Sequence, residues 1–168
     1  MRTHTITIII PCFNEEEALP VYYHAMCPVM EQMNDATFEL LFIDDGSSDS
    51  TLLKMKQLHR QDSRCKYFSF SRNFGKEAAI YAGLSHARGD YVAIMDVDLQ
   101  DPPDLLPYMY EILTTEDYDS VATRRSTRNG EPKIRSFLSD SFYRVINRIS
   151  KTEIVQGARD FRLMNGTW

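Results

Sequence analysis

The chain has 168 residues, of which 43% are hydrophobic and 26% charged, as in one ordinary globular domain. Its three cysteines, Cys12, Cys27 and Cys65, are widely spaced, which argues against a disulfide framework or a zinc site and suits a reducing compartment. The apolar run Ile6–Ile10 is too short for a signal peptide, and no run approaches the ~20 apolar residues of a membrane helix.

The formal net charge of −5 hides an asymmetry along the chain. Residues 1–123 contain nine Lys and Arg against twenty acids, whereas residues 124–151 contain eight against two. The protein could therefore bind two anionic ligands in different ways, one through a metal ion and one through arginines. The competing interpretation is a basic amphipathic helix with a solvated face, which charge alone favours slightly.

Strands and helices alternate along the chain. In chain order we expect a strand at Thr5–Ile10, a helix at about 20–33, a strand at Phe38–Ile43, a helix ending near Arg60, a strand at Lys66–Phe70, a helix at Glu77–His86, a strand at Tyr91–Asp96, a helix at about 105–113, a strand at Ser120–Thr123, a mobile loop at 126–131, a helix at about 133–150 and a last strand after Gly157. Pro28 lies inside the first helix, where we expect a kink or break. This order predicts an α/β fold with a mostly parallel sheet covered by helices on both faces.

Acidic residues follow three of the predicted strands. Glu15 comes after the first strand, Asp44 and Asp45 after the second, and Asp96 and Asp98 after the fourth. The carboxyl ends of parallel strands lie at one edge of a sheet, and ligands of open α/β folds bind there. We therefore expect these acids to converge, and the convergence is more informative than any single motif.

The residues after the first strand also have a structural interpretation. Asn14 can cap the first helix, and Glu16 and Glu17 can complement the dipole of its first turn. For Asn14 and Glu15, the position at the end of a strand leaves room for contact with a ligand.

Asp44 and Asp45 precede Gly46, which supplies turn geometry. The two acids could be turn-forming residues, or at least one of them could face the crevice and accept hydrogen bonds from a ribose hydroxyl or a base. Both interpretations stay open. The helix that follows is expected to be capped by one of three polar residues, Ser48, Asp49 and Ser50.

Asp96, Asp98 and Gln100 are spaced by two residues. If the strand continued past Asp96, their side chains would project to the same side. Oxygen ligands of this kind suit Mg²⁺ or Mn²⁺, so we hypothesise a metal-bound diphosphate here. A solvated acidic turn explains the motif equally well, because a single D-x-D is a weak signal.

A basic pair, Arg72 and Lys76, surrounds Gly75 near the start of the third predicted helix. Such a pair could meet a phosphate at a helix start. A surface lysine is the more common explanation.

Three segments in this order and spacing, Ile9–Glu15, Asp44–Thr51 and Asp96–Pro102, resemble family 2 glycosyltransferases. Two more segments, Arg72–Glu77 and Asp160–Met164, resemble the polyprenyl-phosphate branch, which includes dolichol-phosphate mannose synthase and bactoprenol glucosyltransferases. The resemblance covers essentially the whole chain. It implies a GT-A fold and inverting transfer from a UDP- or GDP-sugar to a polyprenyl phosphate.

The same resemblance implies roles for individual residues. The nucleotide would be bound by Pro11, Phe13, Asn14, Glu15, Asp44, Asp45, Lys76, Asp96 and Val97. The Mg²⁺ or Mn²⁺ ion would be held by Asp96, Asp98 and Gln100, and the acceptor phosphate would be met by Arg124, Arg128 and Arg135. The catalytic candidates are Arg124 and Asp160, the latter matching a carboxylate proposed as base in bacterial members.

Some relatives of this branch have a non-acidic residue at the position that corresponds to Asp160. The acceptor phosphate oxygen is already anionic near neutral pH, so the reaction does not demand a strong base. Asp160 could instead position the acceptor or support charge at the anomeric carbon.

Relatives of this branch continue further, often into membrane helices. We therefore expect residues 1–168 to form a single catalytic domain that is cut short at its C-terminal end, with an incomplete acceptor side. The whole protein is expected at the cytoplasmic face of the membrane, without a nucleic-acid partner, and a homo-oligomer stays open.

Three other functions remain alternatives. The first is a family 2 transferase with a polysaccharide or glycan acceptor, and the second is a nucleotide-sugar-binding module without turnover. The third is an acidic receiver-like domain, which leaves Pro11–Glu15 and the arginine-rich segment unexplained.

Overall fold

The computed structural model describes residues 3–124 and 158–166, apart from the side chains of Arg124, Ala158 and Arg159. The predicted loop at 126–131 and the predicted helix at 133–150 lie outside the described residues. Nearly all of the described residues belong to one compact unit, which consists of Met1–Ala122 and Asp160–Trp168.

Strands and helices alternate as the sequence predicts. In chain order they are β1 (His4–Cys12), α1 (Ala18–Gln32), β2 (Ala36–Asp44), α2 (Thr51–Gln61), β3 (Cys65–Ser69), α3 (Lys76–His86), β4 (Tyr91–Ile94), α4 (Leu105–Thr115), β5 (Ser120–Arg124) and β6 (Ala158–Asn165). Most boundaries fall within about two residues of those expected. The difference that matters for function is at β4, which ends at Ile94 and not at Asp96.

The six strands form one sheet in the order β3-β2-β1-β4-β6-β5. β1 pairs in parallel with both β2 and β4, and β2 pairs in parallel with β3. β6 pairs antiparallel with β4, with Ile94 opposite Arg162. The prediction of a mostly parallel sheet is confirmed, and the antiparallel strand beside its centre is an addition that the sequence did not predict.

Helices cover both faces of the sheet, as expected. On one face Ile6, Ile8 and Ile10 of β1 belong to a large apolar cluster that includes buried residues of α1, α2 and α4. On the other face Ile9 packs in a smaller cluster with residues of α3. Because β1 is buried on both sides, its sequence is a continuous apolar run and not an alternating one.

The break expected at Pro28 is not formed, because α1 is continuous from Ala18 to Gln32. Proline removes one hydrogen bond of the helix, but the neighbouring Met26, Val29 and Met30 are buried in the core. This packing stabilises the helix more than its local propensity would.

Among the helices of the described part, none has the length and apolarity needed to cross a bilayer.

Candidate functional site

A cavity of about 310 Å³ opens at the carboxyl edge of the sheet. Its walls come from the chain that follows β1, β2 and β4 and from the start of α3, and the lining residues are Pro11, Cys12, Phe13, Glu15, Asp45, Asn73, Gly75, Lys76, Ala79, Asp96, Val97 and Asp98. The acids that follow three different strands therefore meet in one place. Parallel pairing of β2, β1 and β4 produces this convergence, because it brings their carboxyl ends to the same edge.

The chain after β1 is bonded to the turn after β2. Asn14 has a φ of 56°, and its side-chain oxygen accepts a hydrogen bond of 2.9 Å from the backbone N–H of Ser48. The N–H groups of Asn14 and Glu15 donate to the hydroxyls of Ser47 and Thr51, at 2.9 Å and 2.7 Å. Asn14 thus connects the loops after β1 and β2 but does not line the cavity, and the predicted capping of α1 by Asn14 is wrong because Glu17 occupies the N-cap position.

The two acids expected to support α1 differ in their contacts. Glu16 accepts a hydrogen bond from the N–H of Ser50, at the start of α2. Glu17 occupies the N-cap position of α1 without a capping side-chain hydrogen bond. Ser50 occupies the N-cap position of α2 without a side-chain capping hydrogen bond, and Asp49 accepts from the N–H of Thr51, the first residue of α2. Asp49 also accepts from the N–H of Glu16, so the two loops are bonded in both directions.

Asp44 lies outside the cavity lining and is only 1% exposed. One carboxylate oxygen accepts from the N–H of Ser47 at 2.9 Å, and the other accepts from the hydroxyl of Ser69 at 2.7 Å. These bonds fix the turn after β2 and connect it to β3. Of the two acids at the end of β2, Asp44 is therefore the turn-forming residue.

Asp45 lines the cavity, although it is only 3% exposed. Its two carboxylate oxygens accept hydrogen bonds from the backbone N–H groups of Phe74 and Gly75, at 2.7 Å and 2.9 Å. Asp45 thereby holds the loop that leads into α3, which carries Lys76 at its first position.

Gly46 has a φ of 70°, a conformation that L-residues with side chains rarely adopt. A Cβ atom there would overlap the backbone of Arg72. The turn after β2 and the loop before α3 can pack this closely only because residue 46 is glycine, which supports the predicted turn role.

The chain after β4 does not stay extended. Leu99 has a φ of 56°, and the N–H of Gln100 donates to a carboxylate oxygen of Asp98 at 3.1 Å. Asp96 and Asp98 line the cavity, but Gln100 is not among its lining residues. The premise that alternate residues project together from a continuing strand is wrong, because the chain reverses in a turn.

Lys76 forms a double ion pair at the cavity. Its Nζ atom lies 2.7 Å from a carboxylate oxygen of Asp96 and 2.6 Å from one of Asp160. Partial burial lowers the pKa of Lys76, but the hydrogen bonds to Asp160 and Asp96 outweigh it and leave this pKa above its ordinary value. The register that places Ile94 opposite Arg162 carries Asp160 towards Asp96.

The ion pair could not be found from local sequence patterns. Lys76 and Asp160 are 84 positions apart, and their contact depends on β6 lying beside β4. The sequence around Gly75 identifies Lys76 as a candidate site residue, but it predicts a phosphate as the partner of Lys76 and not two carboxylates.

The cavity is acidic on balance. Among the described residues its lining contains four carboxylates and a single cationic side chain, that of Lys76. Burial raises the pKa of Glu15, and the negative charges of Asp98, Asp49 and Asp96 raise it further. An acidic cavity of this kind favours a cation, or an anion that arrives with one.

Two further lining residues show what chemistry the cavity supports. Cys12 is fully buried, and burial raises the pKa of its thiol well above the ordinary value, so it is not a thiolate nucleophile. Phe13 is 45% exposed and offers an aromatic surface for a flat ligand.

Not every predicted site residue can be placed. Arg124 is the last residue of β5, and Arg128 and Arg135 lie outside the described residues. Within residues 3–124 and 158–166, no three His, Cys, Asp or Glu side chains form a group that could hold a metal ion.

Two solved structures share the fold of this chain. Glucosyl-3-phosphoglycerate synthase of Mycobacterium tuberculosis, in complex with Mn²⁺, UDP-glucose and phosphoglyceric acid, is 19% identical with a TM-score of 0.66, over 97% of this chain and 57% of that one. A mannosyltransferase of Pyrobaculum calidifontis, in complex with GDP-Man and Mn²⁺, is 19% identical with a TM-score of 0.62, over 96% and 44%. The chain has the GT-A fold of these glycosyltransferases.

The chain belongs to glycosyl transferase family 2, whose family model matches residues 7–166. A bactoprenol glucosyl transferase of Shigella phage SfV is 40% identical over 160 residues, which are 95% of this chain and 52% of that protein. The putative glycosyltransferase CsbB of Bacillus subtilis is 41% identical over 168 residues, which are 98% of this chain and 49% of that protein. The chain thus spans about half the length of these curated relatives.

Proposed function

We propose that the protein transfers a hexose, with inversion, from a nucleotide-diphosphate sugar to a polyprenyl phosphate. The observation that carries the proposal is the meeting of Glu15, Asp45, Asp96 and Asp98 with Lys76 in one cavity of a family 2 chain. The bactoprenol glucosyl transferases among its relatives support a lipid acceptor.

The donor would lie along the cavity from the β1 side to the β4 side. Phe13 offers a surface for the base, and the carboxylates of Glu15 and Asp45, which also line the cavity, offer hydrogen-bond acceptors. The diphosphate would then reach Asp96 and Asp98. Two neighbours of the same fold were solved with UDP-glucose and with GDP-Man, so both nucleotides deserve testing.

The carboxylates of Asp96 and Asp98 fit a divalent cation that arrives with the donor. Mg²⁺ is usually held by one or two carboxylates together with substrate phosphates and water, so the protein need not supply three ligands. Two neighbours of the same fold contain Mn²⁺. When bound, Mg²⁺ or Mn²⁺ would neutralise charge on the leaving diphosphate.

The side chain of Gln100 is the weakest of the proposed metal ligands. It does not line the cavity, and the turn at Leu99 separates it from Asp96 and Asp98. The backbone N–H of Gln100 donates a hydrogen bond to Asp98.

The acceptor is proposed to react as follows. An anionic oxygen of the polyprenyl phosphate forms a bond to the anomeric carbon, from the face opposite the diphosphate. The bond to the diphosphate breaks, and the leaving group takes the electron pair. Arg124, Arg128 and Arg135 would hold the acceptor phosphate in line, because orientation contributes much of the rate. With such an acceptor, we expect the reaction to occur at the cytoplasmic face of the membrane.

A transfer assay with the whole protein tests the proposal. Undecaprenyl phosphate, Mn²⁺ and radiolabelled UDP-glucose or GDP-mannose are supplied, and the label is expected in the lipid fraction. Label in a glycan acceptor alone would overturn the lipid acceptor. Donor binding without any transfer would overturn the enzymatic function.

The matched control for this assay is Asp104→Ala. Asp104 is an exposed acid at the start of α4 whose side chain does not cap the helix. Its removal changes the net charge of this part of the chain as a cavity variant does, and transfer is expected to persist. Loss of transfer in Asp104→Ala would show that the assay responds to charge alone.

A further inference from the structure

The ammonium group of Lys76 is shared between two carboxylates from distant parts of the chain. Asp96 follows β4, and Asp160 lies in β6. The Nζ atom is 2.7 Å from Asp96 and 2.6 Å from Asp160, so both are direct charge-assisted hydrogen bonds. One side chain therefore sets where these two acids lie relative to each other.

Asp160 requires a cationic partner to stay beside the cavity. Its side chain is 52% exposed, so packing holds it weakly. It also lies beside a cavity that Glu15, Asp96 and Asp98 make acidic. Like charges at close range repel, and Lys76 is the one cationic side chain among the described residues that line the cavity.

We propose that Lys76 is a positioning residue for Asp160, holding its carboxylate at the cavity beside Asp96. The proposal rests on the proposed function, because it assigns Lys76 to the acceptor side of the same site. Asp160 then works as a fixed negative group at the anomeric carbon or the acceptor. Donor affinity would depend little on Lys76.

The competing role is a direct contact between Lys76 and the donor diphosphate. That role requires the ammonium group to leave both carboxylates when the donor binds. In that case, removal of Lys76 would weaken donor binding whether or not Asp160 is present. The two roles therefore predict different results for the single and double variants.

Hydrogen exchange tests the positioning without any need for activity. In Lys76→Gln we expect the amides at the start of β6 to exchange about threefold faster, the size expected for a partly exposed ion pair. Asp160→Asn should give the same increase, and the double variant should add nothing. Unchanged exchange in Lys76→Gln, or additive increases, would overturn the proposal.

The control for hydrogen exchange is Lys56→Gln. Lys56 is an exposed lysine on α2, far along the chain from β6. The Lys56→Gln variant removes the same charge as Lys76→Gln and is expected to leave hydrogen exchange of β6 unchanged. An equal increase in Lys56→Gln would mean that net charge, and not the ion pair, controls β6.

Kinetics of the whole protein provide the second test. Lys76→Gln and Asp160→Asn should lower kcat for transfer to undecaprenyl phosphate by similar factors, and the double variant by no more than either single one. The Kd for UDP or GDP with Mn²⁺ should change less than about threefold, and Lys76→Arg should restore part of kcat. A large loss of donor affinity in both Lys76→Gln and the double variant would overturn the proposal.

Failure of the proposed function is recognisable separately. If the wild-type protein transfers no sugar to lipid, the proposed acceptor is wrong. Hydrogen exchange of β6 still decides whether Lys76 positions Asp160.

Discussion

The turns after β2 and after β4 both begin with aspartates at the carboxyl edge of the sheet, yet they use their carboxylates differently. In the turn after β2, Asp44 is buried and bonded to Ser47 and Ser69. In the turn after β4, Asp96 and Asp98 line the cavity, and Asp96 meets the ammonium group of Lys76. The position of an acid at the end of a strand therefore does not decide its role. Its hydrogen-bond partners show whether the carboxylate stabilises a turn or is available to a ligand in the cavity.

The carboxylates of the two turns also contribute differently to the free energy of unfolding. A buried carboxylate that accepts backbone N–H groups stabilises the fold, and its removal leaves those donors unsatisfied. A partly exposed acid paired with a lysine side chain at a cavity contributes less to stability. The following predictions test this contrast, from the largest expected effect on transfer to the smallest.

Asp98→Ala should have the largest effect on transfer and almost none on stability. Loss of a proposed ligand to the cation that would neutralise the leaving diphosphate is expected to lower kcat by roughly 10²–10³-fold. Isothermal calorimetry should show that Mn²⁺ no longer strengthens binding of UDP or GDP. Unchanged Mn²⁺-dependent affinity in Asp98→Ala would refute the metal assignment, and Asp104→Ala is the control.

Asp45→Ala should lower both donor binding and stability. Asp45 lines the cavity and also accepts hydrogen bonds from the backbone N–H groups of Phe74 and Gly75. Two partly buried N–H groups would lose their acceptor, so we expect a loss of about 1–3 kcal/mol in the free energy of unfolding. Urea denaturation measures that loss, and calorimetry at a temperature where the variant is folded should show weaker donor binding. Full donor affinity in the folded variant would remove Asp45 from the binding site.

Asp44→Ala should lower stability without a direct effect on the donor. Ser47 and Ser69 would lose their acceptor, and the expected cost is again about 1–3 kcal/mol. The folded fraction should bind UDP or GDP with the affinity of the wild-type protein. A specific loss of donor affinity, with wild-type stability, would show that the contrast between Asp44 and Asp45 is false.

Glu15→Gln should change how stability depends on pH. The pKa of Glu15 is raised in the folded state by burial and by Asp98, Asp49 and Asp96, so the unfolded chain loses this proton first as the pH rises. Ionisation of Glu15 therefore destabilises the fold above the ordinary glutamate pKa. The variant should be more stable than the wild type at neutral pH, and the difference should vanish below about pH 4.

Thermal unfolding of both proteins across the pH range measures this difference. A Glu16→Gln variant is a neighbouring control, because Glu16 accepts from the N–H of Ser50 and not from groups in the cavity. Equal stability of wild type and Glu15→Gln at every pH would show that the folded state does not raise the pKa of Glu15.

Much of the fold was predictable from the sequence because its signals are local. The apolar run of β1 and the helical spacing after it depend on neighbouring residues, and alternation of such segments implies a parallel sheet. Parallel pairing alone then brings Glu15, Asp45 and Asp98 to one edge. The family 2 resemblance is confirmed for the same reason, since its motifs are short and ordered along the chain.

The remaining features depend on contacts between distant residues. The sequence does not distinguish Asp44 from Asp45, because the difference depends on Ser69 and Phe74 in other segments. The reversal at Leu99 overrides the extended spacing of the acids. The Lys76 ion pair requires β6 beside β4, a pairing between segments more than sixty residues apart.

The placement of β6 has a consequence for synthesis on the ribosome. Nascent β4 emerges with one edge open, and that edge acquires its partner only after Ala158–Asn165 has been made. During this interval an apolar strand next to the centre of the sheet is available to other chains, as exposed edges are in aggregation. Release of the polypeptide before residue 158 would make that exposure permanent, so prematurely terminated products should be prime substrates for chaperones and proteases.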